Sequence, residues 1–343
     1  MVFNHQHTGS PRKGMYLVVI IPALNEEMTI ASVIRAIPRE FPGVVRTDVV
    51  VIDDGSTDAT KKLAADAGAI VVSHPRNMGV GKSYAHGLHV ALRIGADAIV
   101  SIDADGQFNP ADIPTLLGPL LAGEAEVVTA SRFKDPSKTP KMPPGRLYGN
   151  LVLSRLLGYI MGNRIYDISC GFRACTRDAA MKLNLSGSYT YTQEMLLDFA
   201  FKGIPVAEVP IVVRGTREHG EAKMSSNLFR YAIRSSRIIA RAFRDYQPLR
   251  FFFSLACACF LVAAVELAWM FFWRLTTGDF TPYKWTGFAA SFAIVVGMIL
   301  TITGVVADML RMLRLNSEKT LYFNKRSFYE SFRANGRGGE PQD

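Results

Sequence analysis

Asp103 and Asp105 stand one residue apart at the end of the apolar run Ile99-Val100-Ser101-Ile102, and Gly106-Gln107-Phe108-Asn109-Pro110 follows them. Two carboxylates at that spacing in an extended segment can face one divalent cation. Hard oxygen donors select Mg²⁺ or Mn²⁺, and phosphate oxygens would complete the shell. The apolar run is fit for a buried strand, and Asn109-Pro110 reads as the N-cap and first position of a helix. The carboxyl end of such a strand is where open α/β sheets bind ligands. A lone pair of this kind could equally be an acidic turn closing a strand. Its setting argues otherwise.

That setting is a repetition. Tyr16–Ile21 reads as a buried strand ended by Pro22, and Ala23-Leu24-Asn25-Glu26-Glu27 leads from it into a helix through Ile37. Val49–Ile52 reads as a second strand, followed by Asp53-Asp54-Gly55-Ser56-Thr57-Asp58, where the glycine permits a tight turn and the polar residues can cap a helix. Strand, carboxylate and helix thus occur twice before Asp103. This alternation predicts a doubly wound, mostly parallel sheet. Ala69–Val72 and Val127–Ala130 are two further strands, the latter ending at Ser131-Arg132. Between them, Arg76–Lys82 forms a glycine-rich turn whose lysine, Lys82, could meet phosphate. It lacks the first glycine of a P-loop, and no dinucleotide fingerprint is present. Thr192–Lys202 reads as a helix with Thr192 as its N-cap and Gly203 as its stop.

The chain has 343 residues, a net charge of +9 and four cysteines. Phe251–Trp273, with the single charge Glu266, and Trp285–Ala307, with none, are each long enough to cross a bilayer core, which needs about 20 apolar residues. Met1–Gly14 is polar and does not read as a secretory signal. Basic residues before the first span (Arg241, Arg244, Arg250) and after the second (Arg311, Arg314, Lys319, Lys325, Arg326) predict cytoplasmic termini and a short far-side loop. Cys170 and Cys175 should then be reduced, Cys257 and Cys259 should pack in a span, and none has metal-site spacing. The charge gathers near the spans and in one loop, which favours anionic lipids and phosphorylated substrates over nucleic acid. Arg230, Arg234, Arg237, Arg241 and Arg244 recur along one helical face beside a stripe of Phe229, Ile233, Ala240 and Phe243. This predicts an interfacial amphipathic helix. For Glu266, mid-span, the expectation is contact with the other span or with a second copy of the chain.

Ile20–Glu26, Val51–Asp58 and Asp103–Gln107, in this order and spacing, resemble glycosyltransferase family 2 over about residues 15–225. Together with Ser169–Arg173, Arg217–Met224 and the apolar hairpin, the chain is similar to the polyprenyl-phosphate (dolichol-phosphate) hexosyltransferases. The resemblance implies a GT-A type, Rossmann-like α/β fold and a metal-dependent transfer, with inversion, of a hexose from a nucleotide sugar to polyprenyl or dolichyl phosphate. It implies a nucleotide pocket lined by Pro22, Ala23, Glu26 and either Asp53 or Asp54, with Lys82, Arg217 and Lys223 toward the phosphates. Asp103 and Asp105, with Gln107, would hold Mg²⁺ or Mn²⁺, and Arg132, Arg146 and Asn150 would surround the acceptor phosphate. The loop from Arg214 to Lys223, which includes His219, would close over the donor, and Glu194 would orient an acceptor-site arginine. No general base is expected, because a phosphate monoester, with a second pKa near 6, is already anionic.

The organisation that follows is a polar tail at 1–14, a catalytic domain at 15–225, a juxtamembrane helix at 226–250, two transmembrane helices within 251–310 and a basic tail at 311–343. A homo-oligomer is compatible with it. The rival readings are a processive polysaccharide synthase, a soluble-acceptor transferase and a non-catalytic membrane scaffold. The first lacks its Q-x-x-R-W motif here, since the only basic-Trp pair, Lys284-Trp285, lies at a span.

Overall fold

The computed structural model describes residues 14–139, 147, 150–152, 154–155, 158, 164–185, 191–213, 244, 247–281 and 283–334. Arg146, Arg217, Lys223 and nearly all of the amphipathic stretch at 226–250 lie outside them. The described chain divides into two units: one contains residues up to Ser235 together with Tyr322 onward, and the other is Ser236–Leu321.

In the first unit, strand β1 (Met15–Ala23) is central and nearly all its side chains are buried. Successive residues of a strand face opposite sides of the sheet. Leu17, Val19 and Ile21 accordingly join one apolar cluster, and Val18 and Ile20 join the other. Burial on both faces is why the strand reads as an unbroken β-branched run. β2 (Val44–Asp53), β3 (Ile70–Ser73), β4 (Ala98–Ser101), β5 (Val127–Ser131), β6 (Arg173–Thr176) and β7 (Val206–Pro210) complete a sheet of order β3-β2-β1-β4-β6-β5-β7. Only β6 runs antiparallel to its neighbours.

Helices α1 (Ile30–Ala36) and α4 (Ile113–Leu121) cover the first face, with Ile30, Ile34, Leu116 and Leu117 in its core. α3 (Val80–Arg93), α5 (Arg177–Lys182) and α6 (Tyr191–Phe201) cover the other, where Tyr84, Leu88, Met181 and Phe199 pack. The short α2 (Thr60–Asp66) follows β2.

Two local expectations are corrected. Pro22 does not end β1; the strand continues through it to Ala23, paired with Ile52 and Asp53 of β2. On the other side, pairing with β4 stops at Ile20, so the missing N–H of Pro22 interrupts no ladder there. Thr192 is not an N-cap, because α6 already includes Tyr191. The Tyr191 ring is buried and stacks on Tyr84 at 4.2 Å, and this packing holds it in the helix.

The second unit contains α7 (Pro248–Thr277) and most of α8 (Lys284–Ala334), both long and apolar enough to cross a membrane. The two expected spans lie within them. Most of their large apolar side chains are exposed, whereas Ala256, Ala263 and Ala290 are buried, as suits helices that approach through small residues. Instead of stopping where the basic tail was expected, α8 runs unbroken past residue 311 to Ala334.

From Tyr322 onward, α8 belongs to the first unit and lies on α3 and α5. The Tyr329 hydroxyl shares a hydrogen bond with His89 Nδ1 at 2.7 Å, and Arg177 donates to the Tyr329 carbonyl at 3.2 Å. Tyr322 donates to Asp178, Lys325 donates to the Leu183 carbonyl at 3.0 Å, and Arg333 pairs with Asp97 at 3.0 Å. Tyr322, Lys325, Tyr329 and Arg333 of this segment are thus docking contacts.

Candidate active site

Because β1, β2, β4 and β5 run the same way, their carboxyl ends share one edge of the sheet. Pro22 and Ala23, Asp53 and Asp54, Asp103 and Asp105, and Arg132 all lie at or just beyond those ends. The antiparallel β6 brings the loop before it, Ile168–Phe172, to the same edge.

The loops after β1 and β2 are zipped together. Asn25 N–H donates to Ser56 Oγ at 3.0 Å, and Asn25 Oδ1 accepts from Thr57 N–H at 2.9 Å. Glu26 N–H donates to Thr60 Oγ1 at 2.8 Å, and Glu27 Oε2 accepts from Ala59 N–H at 3.0 Å. Asn25 takes a φ of 51°, the only described non-glycine residue with positive φ, and this reciprocal bonding holds it there.

The adjacent acids Asp53 and Asp54 are both buried but differently engaged. Asp54 accepts from Met78 N–H at 2.9 Å and Gly79 N–H at 2.8 Å, and shares a hydrogen bond with His74 Nδ1 at 2.7 Å. Its carboxylate shapes the turn before α3. Asp53 accepts from Ser56 N–H at 3.0 Å through Oδ1. Between the two loops, Gly55 has a φ of 76°, and a Cβ there would stand 2.7 Å from the Arg76 carbonyl carbon. Only glycine fits this crossing. Lys82 is exposed in the first turn of α3.

Beyond β4 the chain is anchored by Thr29, whose hydroxyl donates to the Ala104 carbonyl at 2.7 Å. Asp105 is 5% exposed and accepts from Gln107 N–H at 3.1 Å, so these two residues share one turn. Asp103 is half-buried. Asn109 caps the following 3-10 turn through Ala111 N–H, as its sequence predicted. Among the described residues, no three His, Cys, Asp or Glu side chains converge on a metal-sized site. The donor set expected from the sequence is the Asp103 and Asp105 carboxylates, with Gln107 on the turn of Asp105. It fits a hard cation that draws other ligands from phosphate oxygens and water.

Arg132 is held in a fork by Asp167, with Nε donating to Oδ2 at 2.6 Å and Nη2 to Oδ1 at 2.9 Å. Nη2 also donates to Ser169 Oγ at 2.6 Å. Ser169 Oγ in turn donates to Asn150 Oδ1 at 3.1 Å, and Asn150 Nδ2 donates to the Tyr166 carbonyl at 3.2 Å. Asp167 is fully buried; burial alone would raise its pKa, but the charge and hydrogen bonds of Arg132 hold it below the ordinary carboxylate value. The Glu208 carboxylate accepts from the backbone N–H groups of Tyr166 and Asp167, and burial raises its pKa. Thus Arg132 and Asn150 do meet in one network, joined by Asp167, Ser169 and Glu208. Asp167 and Glu208 gave no signal in the sequence, because single acids in loops and edge strands read as solvated charges. Glu194 lies in the first turn of α6.

The family model described as glycosyl transferase family 2 matches residues 18–183. A UDP-N-acetylglucosamine–dolichyl-phosphate N-acetylglucosaminyltransferase of Methanococcus voltae is 30% identical over 215 residues, covering 57% of this chain and 84% of that protein. A polyprenol monophosphomannose synthase of Mycolicibacterium smegmatis is 31% identical over 226 residues, covering 63% of this chain and 83% of that protein. Among solved structures, glucosyl-3-phosphoglycerate synthase of Mycobacterium tuberculosis with Mn²⁺, uridine diphosphate and glucosyl-3-phosphoglycerate superposes with a TM-score of 0.52 at 28% identity. The match covers 68% of this chain and 80% of that one. The sheet order and the shared strand ends are those of the expected GT-A fold.

Proposed function

This chain belongs to glycosyltransferase family 2 and is a hexosyltransferase of it, and on that premise we propose that it moves a hexose from a nucleoside diphosphate to a polyprenyl or dolichyl monophosphate, with inversion, at the edge of its sheet. One observation carries the reading: the Asp103–Asp105 turn and the Arg132 fork stand on the same edge, joined by the loop that ends at β6. Acidic oxygens suit a cation-bound diphosphate, and a planar guanidinium suits a second phosphate. Relatives named for dolichyl- and polyprenyl-phosphate transfer, and two helices fit to cross a membrane, support a lipid-linked acceptor.

The residues divide the work. Pro22, Ala23, Glu26 and Asp53 line the nucleoside pocket; Asp53 keeps its second carboxylate oxygen for the ribose or base, while Asp54 braces the turn beneath. Asp103 and Asp105, with Gln107 on the same turn, would hold Mg²⁺ or Mn²⁺. When bound, the cation would neutralise charge growing on the departing diphosphate. Lys82, Arg217 and Lys223 add positive charge toward the same phosphates. Arg132, Asn150 and Arg146 orient the acceptor phosphate, whose own oxygen attacks the anomeric carbon without a general base. Both termini and the catalytic unit face the cytoplasm, with anionic lipids at the basic flanks of the spans.

The test is to supply the full-length protein in membranes with Mn²⁺ or Mg²⁺, polyprenyl phosphate or 3-phosphoglycerate, and a panel of radiolabelled UDP- and GDP-sugars. Label entering the organic phase with one donor supports the reading. Label appearing only on 3-phosphoglycerate would place this chain with the soluble-acceptor synthase it superposes on.

A further inference from the structure

The loop that closes the site is wound around one buried side chain. Arg173, the first residue of β6, is 1% exposed. Its Nε donates to the Cys170 carbonyl at 2.8 Å, Nη2 to the Ile168 carbonyl at 3.0 Å and Nη1 to the Thr192 carbonyl at 2.6 Å. A guanidinium offers five donors in a rigid plane, so three carbonyls aimed at it fix the backbone that bears them. Two of those carbonyls, Ile168 and Cys170, lie in the stretch that leads directly into Gly171.

Gly171 is pressed against the metal-side acid. A Cβ on it would stand 2.8 Å from both carboxylate oxygens of Asp103, inside any normal contact. Gly171 is not among the glycines with positive φ, so its backbone would accept an alanine. What demands glycine is the space of a single side chain, and the atoms in the way are the two oxygens that would hold the cation.

We propose that Gly171 is a positioning residue for the reaction: its missing side chain sets the orientation of the Asp103 carboxylate toward the divalent cation, and Arg173 holds Gly171 in place. This rests on the reading of Asp103 as a metal ligand. The same loop carries Ser169, which touches Arg132, so one element spaces the donor-side acid and the acceptor-side arginine. The three atoms nearest an alanine Cβ at 171 all belong to the end of the Asp103 side chain. The substitution therefore turns the carboxylate while leaving the fold intact.

The experiment titrates Mn²⁺ into the purified full-length protein in detergent, with UDP or GDP present, reading free Mn²⁺ by its paramagnetic resonance signal. Melting temperature is followed in parallel. Gly171→Ala is expected to weaken Mn²⁺ binding by about 10-fold or more, the usual effect of disturbing a ligand's support, with an unchanged melting temperature. Arg173→Met is expected to weaken Mn²⁺ binding as well and to lower the melting temperature, since it strands three carbonyls. In an Asp103→Ala background, Gly171→Ala should add no further loss. Wild-type Mn²⁺ affinity in Gly171→Ala, or losses that simply add in the double variant, would overturn the proposal. If Asp103→Ala itself binds Mn²⁺ normally, the metal reading falls with it, and that failure is distinguishable from the first two.

Discussion

The structural contact of Arg132 can be separated from its proposed role at the acceptor phosphate. Its fork on Asp167 neutralises a carboxylate with no exposed surface, and its place at the sheet edge suits a phosphate. Removing one partner of a buried pair strands the other, at about 3–5 kcal/mol, whereas replacing both with apolar groups can be nearly neutral. Arg132→Ala is therefore expected to lose about 3–5 kcal/mol of stability in chemical denaturation together with transfer activity. The double variant Arg132→Met, Asp167→Leu should recover part of the stability, since a leucine at 167 still leaves the backbone N–H groups of Arg132 and Ser169 without their acceptor, and none of the activity. Recovered transfer in the double variant would remove Arg132 from the chemistry. The acid pair at 103 and 105 was legible in the sequence because it ends an apolar run, and the run fixes where it must lie. Asp167 was not: its meaning comes from a partner 35 residues away, across a loop, and only burial tells it from a surface acid.

At the scale of elements, the strand-end loops are braced from below. Asp54 ties the turn before α3 to the end of β2, and His74 links Asp54 to His86 on α3 through a 2.9 Å contact. His89, one turn further along α3, meets Tyr329 at the docked end of α8. Burial lowers the pKa values of His86 and His89, assisted by His74 and His89 for the first and Arg93 for the second. A lowered folded pKa means that the unfolded chain binds more protons in the window below 6.5, so these groups add stability above it that is lost as pH falls through their folded values. Acidifying from pH 7 toward about 5 should therefore loosen the α8 contact, read as faster amide exchange at residues 322–334, and His89→Gln should flatten that pH dependence. Pattern reading placed β1 to β5 and the helices that follow β1 and Asn109, because apolar runs and caps mark them, but β6 and β7 were not read. It missed the docking of 322–334, because alternating basic and aromatic residues look the same on a free tail as on a helix pinned by Asp97, Asp178 and His89.

For the whole molecule, two helices long and apolar enough to cross a membrane suit anchoring of the enzyme there. α7 and α8 expose Phe253, Leu261, Trp269, Phe288, Ile299 and Val306, a surface suited to acyl chains. The full chain is expected to stay with membranes through alkaline carbonate washing, and release into the supernatant would contradict the two spans. Reading the spans needed only length and composition. Reading where α8 ends needed the fold, since a helix that leaves an apolar stretch and docks on a domain shows no break in sequence.

The most direct measurement is cation-dependent transfer of labelled sugar to polyprenyl phosphate by the wild-type chain and by Asp105→Ala, each with Mn²⁺ and with chelator. The account predicts that chelator abolishes wild-type transfer and that Asp105→Ala falls by on the order of 10²–10³-fold, the scale of losing a main source of charge stabilisation. Full transfer by Asp105→Ala, or by the wild type without a divalent cation, would contradict it.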